Sequence, residues 1–199
     1  MSSVPVILAS GSPRRRDLLW MIGIRHEVIV ADIDETYVPG EPPPWHAERL
    51  AIEKGAAVAR QHPLALVISA DTIVVIEGDV LGKPCDDEDA ARMLRRLSGR
   101  THEVCTGVAV TRGAAMASGV ELVRVTFRAL SDGNIAAYIA TGEPKDKAGA
   151  YGIQGYGATI VERIDGDYFA VMGLALQHMV RLMRDVGVEY DFQGVRALV

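Results

Sequence analysis

The stretch from Leu64 to Ile76 does most to limit what this chain can fold into. It is almost wholly apolar and β-branched, interrupted only at Ser69, Asp71 and Thr72. Such a run reads as a buried strand. The flanking sequence alternates strand and helix patterns. Val4–Ala9 is strand-like, Pro13–Ile22 has helical spacing, and His26–Ala31 reads as a second strand. Prolines 42 to 44 end a loop, and a helix is expected from about Trp45 to Gln61. Glu77-Gly78-Asp79-Val80 suits a tight turn into a short strand at Val80–Leu81. A helix over Asp86–Leu97 has acids at its start and Arg95 and Arg96 near its end, the order the helix dipole favours. Ser98-Gly99 ends it.

Thr101–Thr111 and Glu121–Phe127 then read as paired strands around a small-residue loop at Gly113–Gly119. Ser131 is placed to cap a helix over Asp132–Ala140. A glycine-dense loop, Gly142–Gly157, follows. Thr159–Ile164 and Tyr168–Val171 are expected to close a hairpin over Asp165-Gly166-Asp167, and Gly173–Val186 forms the last long helix. The pattern is α/β with hairpins, so the central sheet is expected to be mixed and flanked by helices. No repeat or linker divides the 199 residues, which are read as a single domain, 1–199.

Composition excludes several classes. The formal charge of −5 argues against a general nucleic-acid coat, so any basic site is local. The two cysteines, Cys85 and Cys105, make no disulfide framework, and a reducing, cytoplasmic setting is expected. No signal peptide and no membrane span are expected. The five histidines show no paired ligand spacing for zinc. There is no G-x-S-x-G elbow.

The most concentrated basic cluster lies in an unfavourable place. Ser10-Gly11-Ser12-Pro13-Arg14-Arg15-Arg16 follows the first strand and opens the first helix, with Ser12 as the expected N-cap. Each positive charge in a first turn costs about 0.3–1 kcal/mol at the surface. Either these arginines form a solvated turn, or an anion offsets them at a helix start already suited to phosphate.

Four further features carry chemistry. Asp71 is a carboxylate inside the apolar run, costly unless paired or metal-bound, and could bind Mg²⁺, orient water or act as a base. Lys54 shares the apolar stripe of its helix with Ala47, Leu50, Ala51 and Val58, so it either snorkels past the core or reaches an anion. Lys83 in Gly82-Lys83-Pro84 is a point charge in a turn. The segment is one residue short of a P-loop and lacks the following Ser or Thr. The loop Asp146–Gly157 contains four glycines, which permit close backbone approach, and Gln154, which carries a donor and an acceptor for a base edge. Its spacing is not the dinucleotide fingerprint. Asp32, Asp34 and Glu35 either supply oxygen ligands to a hard cation or stand in solvent.

In order and spacing these blocks resemble the Maf family of nucleoside triphosphate pyrophosphatases. The resemblance rests on Leu8-Ala9-Ser10-Gly11-Ser12-Pro13-Arg14-Arg15, Ala70-Asp71-Thr72, Gly82-Lys83-Pro84, Leu97-Ser98-Gly99 with Thr101-His102, Asp146 through Gly155, and Val171-Met172-Gly173-Leu174. It implies a twisted mixed sheet of the inosine-triphosphatase-like type, with two lobes around a cleft. It also implies hydrolysis of a nucleoside triphosphate to monophosphate and pyrophosphate with a divalent cation, Mg²⁺ or Mn²⁺. The late loop is similar to that of the dTTP/UTP branch. By the same resemblance Asp71 matches the catalytic acidic position, with Asp71 and Glu35 as candidate metal contacts. Ser10, Arg14, Arg15, Lys54, Thr72, Lys83 and Gln154 match substrate-binding positions, whereas Arg16 falls outside the match. Ser69 stands where glycine is frequent, and Ala175 where proline is frequent. The expected partner is the nucleoside triphosphate, without nucleic acid or membrane, and a homodimer is left open. A nucleotide-binding regulator of septum formation is the alternative reading.

Overall fold

The computed structural model describes residues 4–198. The elements run β1 (Val6–Leu8), α1 (Pro13–Met21), β2 (Glu27–Val28), α2 (Pro43–Ala59), β3 (Leu66–Ile76), β4 (Asp79–Leu81), α3 (Asp87–Leu97), β5 (Thr101–Arg112) and β6 (Ala115–Phe127). After them come α4 (Asp132–Ala140), three short 3₁₀ turns between Glu143 and Thr159, β7 (Val161–Asp165), α5 (Tyr168–Met172), α6 (Leu176–Asp185), β8 (Val188–Tyr190) and β9 (Val195–Ala197). The main sheet has the strand order β2-β1-β3-β5-β6-β7, with β4 also paired to β3. It is mixed: β1 is parallel to β2 and β3, while β3–β4 and β6–β7 are antiparallel. Among the described residues no helix is long and apolar enough to cross a membrane.

The chain divides into two compact units. One comprises Met1–Asp71, Thr106–Glu121 and Gly173–Val199, and the other Thr72–Cys105 and Leu122–Met172. In the first, β1 pairs in register with the start of β3, Val6 opposite Leu66 and Leu8 opposite Ile68. Leu8, Leu18, Leu19, Leu50, Ile68 and Met179 are fully buried. Helix α2 packs closely on β5. A Cβ at Gly107 would lie 2.2 Å from the Ala47 carbonyl oxygen, so only glycine fits there. Gly55 makes similar room for Ser69, whose hydroxyl donates to the Ala51 carbonyl at 2.7 Å. The serine that departs from the family pattern is thus accommodated by a missing side chain on the facing helix.

In the second unit, β3 turns into β4 through Glu77 and Gly78, both at positive φ (54° and 86°). That pair is the mark of a type I′ hairpin. Asp86 caps α3 by accepting from the Asp89 N–H at 2.7 Å. Ser131 and Asn134 form a reciprocal capping box on α4. Phe127, His102 and Tyr151 meet edge to face, with ring centroids 4.6 to 5.3 Å apart.

Several expectations are corrected. The second strand is confined to Glu27–Val28. β6 begins at Ala115, so Ala115–Gly119 is strand and the turn is confined to the residues around Gly113 at φ 59°. Small side chains in that segment weaken the strand pattern, but backbone pairing does not need them. Tyr168–Val171 is helical, because the Asp167 carboxylate accepts from the Phe169 N–H at 2.7 Å and starts a turn there. β7 pairs instead with β6, Arg124 opposite Asp165. The last long helix starts at Leu176, since Gly173 sits at φ 118° and Ala175 is extended. The β8–β9 hairpin has no counterpart in the sequence reading.

Candidate functional site

Six of the candidate residues lie in the first unit, where Arg15 bonds Ser10 and Lys54 reaches both Asp71 and Glu35. β1 delivers the chain to Ser10, and α1 begins three residues later with Pro13 at its first position. Ser12 occupies the N-cap position but makes no side-chain cap bond. Its N–H instead donates to the Ser10 hydroxyl oxygen at 3.3 Å. That same oxygen accepts from Arg15 Nη1 at 2.9 Å, and Arg15 Nε donates to the Gly173 carbonyl at 2.7 Å. Arg15 is therefore buried and held by two anchors. The bend that delays α6 is what leaves the Gly173 carbonyl pointing at the guanidinium. Burial lowers the Arg15 pKa, while the charge of Asp71 raises it, Arg14 lowers it and Glu35 raises it. Arg15 thus lies within the electrostatic reach of both acids.

Arg14 is partly buried. Arg16 is exposed and pairs with its neighbour Asp17. The triple arginine is therefore divided, with the middle residue turned inward and the last in solvent.

Asp71 and Lys54 are both buried, at 8% and 7% exposure. Lys54 Nζ donates to Asp71 Oδ1 at 2.7 Å and lies 3.1 Å from Glu35 Oε1. The charge that β3 places among apolar residues is thus matched by the one that α2 places on its buried stripe. Glu35 differs from Asp71 in being more than half exposed at its side chain. Of the other loop acids, Asp32 is exposed, and Asp34 is exposed and accepts from the Thr36 N–H at 2.9 Å.

The loop carrying Glu35 is tied to α2 by a second set of charges. Arg49 donates from Nε and Nη2 to the two Glu41 carboxylate oxygens at 2.8 and 3.0 Å, and His46 Nδ1 lies 3.0 Å from Oε2. The bond from Arg49 holds the Glu41 carboxyl at about 2, well below the usual range. Arg49 also reaches the Thr36 carbonyl. Sequence reasoning did not single out this network. A charged loop followed by His46 and Arg49 three residues apart was the only available sign.

The Asp71 and Glu35 carboxylates converge on the Lys54 ammonium, which offsets their charge. Among the described residues, no group of three or more His, Cys, Asp or Glu is arranged to hold a metal by itself.

Thr72, Lys83 and Gln154 belong to the second unit. Thr72 follows Asp71 on β3 and is partly buried, and Lys83 is exposed after β4. The glycine-rich loop is closed tightly on itself. Gly82 accepts from the Gly149 N–H at 3.0 Å, which sets the Lys83 turn beside the loop. Gly149 is at φ 68° against Val74, and a Cβ at Gly157 would fall 2.0 Å from the Gly152 carbonyl oxygen. Gln154 stands exposed between these two glycines.

An α/β chain with a buried acid, an anchored arginine and a glycine-closed loop defines a class before it defines a protein. Its fold is similar to that of a HAM1 protein from Coxiella burnetii, with a TM-score of 0.51 at 16% identity over 90% of this chain and 91% of that one. A model of the Maf-like protein family matches residues 5–186, and the chain belongs to the Maf family. It is 51% identical over 178 residues to a protein of Syntrophomonas wolfei named dTTP/UTP pyrophosphatase, covering 88% of this chain and 94% of that one. A Moorella thermoacetica protein of the same name is 52% identical over 186 residues, covering 92% and 96%.

Proposed function

We propose that this protein hydrolyses dTTP and UTP to the nucleoside monophosphate and pyrophosphate, by attack of water at the α-phosphorus. The observation that carries this reading is the buried Asp71 carboxylate, set 2.7 Å from the Lys54 ammonium and within the field of the anchored Arg15. The relatives named dTTP/UTP pyrophosphatase support the substrate.

Asp71 is the group that accepts the proton of the attacking water. Lys54 holds and orients that carboxylate through its 2.7 Å bond. Arg15, fixed by Ser10 and Gly173, presents a rigid positive charge to the triphosphate, and Arg14 adds a second charge at the start of α1. A divalent cation, Mg²⁺ or Mn²⁺, held by Asp71 and Glu35, would supply Lewis acidity and offset phosphate charge. Lys83 neutralises charge on the leaving pyrophosphate, and Thr72 and Gln154 read the pyrimidine edge. With nucleoside triphosphates as substrates, the proposed place of work is the cytoplasm.

A panel of nucleoside triphosphates tested with Mg²⁺, Mn²⁺ and EDTA checks the proposal. It expects cation-dependent turnover of dTTP and UTP above the purine nucleotides, with pyrophosphate as product. Orthophosphate as the first product would refute attack at the α-phosphorus. Tight dTTP binding with no turnover under any cation would refute hydrolysis altogether.

A further inference from the structure

The loop that displays Gln154 is held by one carboxylate. Glu143 accepts from the Tyr156 N–H at 2.8 Å through Oε2, and from the Gly157 N–H at 2.9 Å and the Tyr138 hydroxyl at 2.8 Å through Oε1. The Tyr138 hydroxyl in turn accepts from the Gly152 N–H at 3.1 Å. Gly152 precedes Gln154 by two residues and Tyr156 follows it by two. The glutamine is therefore pinned on both sides, directly on one and through a tyrosine on the other. The glycines exist to permit this. A Cβ at Gly155 would lie 2.4 Å from Glu143 Oε2, and Gly155 is at φ 63°, which favours glycine in any case. Lys147 closes the base of the loop by donating from Nζ to the Glu143 carbonyl.

Charge-assisted bonds from backbone N–H groups to a carboxylate are stronger than neutral ones and fix the backbone that makes them. The partly buried Glu143 carboxylate gathers three donors, two of them backbone N–H groups of the segment that follows Gln154. We infer that Glu143, with Tyr138 as its relay, is a positioning residue for base recognition: it sets where the Gln154 amide stands and so which nucleoside triphosphates are preferred. This inference rests on the reading of Gln154 as the residue that meets the base.

The test compares wild type with Glu143→Gln, Tyr138→Phe, Gln154→Ala and Glu143→Gln/Gln154→Ala. Glu143→Gln keeps the shape of the side chain and removes its charge. Its expected effect is a rise in KM for dTTP and UTP of about tenfold or more, with kcat little changed, because displacing a contact by a fraction of an ångström weakens it that much. Residual turnover of ATP and GTP, whose bases Gln154 does not read, should change by less than about threefold, since uniform binding elsewhere is untouched. Tyr138→Phe removes one hydroxyl and should move KM in the same direction by less. The double variant should be no worse than Gln154→Ala alone, because residues acting as one unit are not additive. Hydrogen exchange of the amides at 156 and 157 should be faster in Glu143→Gln.

Equal losses on all nucleotides, or an additive double variant, would overturn the inference while leaving the pyrophosphatase reading intact. A wild-type enzyme with no preference for dTTP and UTP would instead overturn the reading of Gln154, and with it this role for Glu143.

Discussion

Lys54→Met isolates the energetic logic of the buried pair. The wild-type Nζ lies 2.7 Å from Asp71 Oδ1, with both side chains nearly inaccessible to water. At an effective dielectric constant of about 20, unit charges at that distance attract by about 6 kcal/mol. Desolvation of both ions offsets much of this, so the intact pair adds little net stability. The asymmetry appears when one partner is removed. Methionine leaves the Asp71 carboxylate buried without its ammonium, a change that costs about 3–5 kcal/mol. Asp71→Asn should cost less, because Lys54 keeps Glu35 at 3.1 Å, on a side chain more than half exposed to water. The double variant Lys54→Met/Asp71→Asn leaves no unmatched buried charge, since Glu35 is more than half exposed, and should be more stable than Lys54→Met alone. Urea unfolding at neutral pH reads all four proteins, with m expected to stay constant while the midpoint shifts. The cycle should show a coupling of at least about 1 kcal/mol. A Lys54→Met cost below about 1 kcal/mol, or additivity within about 0.5 kcal/mol, would refute the reasoning.

Two further expectations concern packing and pH. Gly55→Ala places a Cβ 2.6 Å from the Ser69 hydroxyl and should lower stability by about 1–3 kcal/mol. Adding Ser69→Gly should restore most of the melting temperature, and a lack of rescue would contradict the contact. His102 is buried against Phe127 and Tyr151, and burial holds its pKa down to about 4 from 6.5. The unfolded chain takes up a proton as pH falls through about 6.5, whereas the folded chain resists until about 4. Stability from this group is therefore full above about 6.5 and lost toward 4, with a slope of at most about 1.4 kcal/mol per pH unit. His102→Gln should flatten the stability profile in that window, and an unchanged slope would assign the pH dependence to other groups.

What could be read from the sequence follows from where the physics is local. Helix α3 announces itself through Asp86 at its cap, acids in its first turn and arginines in its last. The β3–β4 turn does so through Glu-Gly. Asp71 and Lys54 were legible because each puts a charge into an apolar pattern, and the structure shows why both are tolerated: each is the other's partner. Arg16 was separable from Arg15 only by the resemblance, whereas the structure separates them by burial. The failures are non-local. Tyr168–Val171 is β-prone, yet one aspartate cap turns it into helix. Ala115–Gly119 has the side chains of a loop but the pairing of a strand. Glu143 and Glu41 look like ordinary surface acids in the sequence. Their importance lies in backbone donors and arginines that folding brings to them.

The turnover of dTTP by purified Asp71→Asn with Mg²⁺ present tests the central claim most directly. The variant keeps the volume of the side chain and loses the ability to accept a proton. A general base contributes about 10²–10⁴-fold, so kcat should fall by at least two orders of magnitude in a protein that still unfolds cooperatively. Pyrophosphate release at close to the wild-type rate would contradict the account.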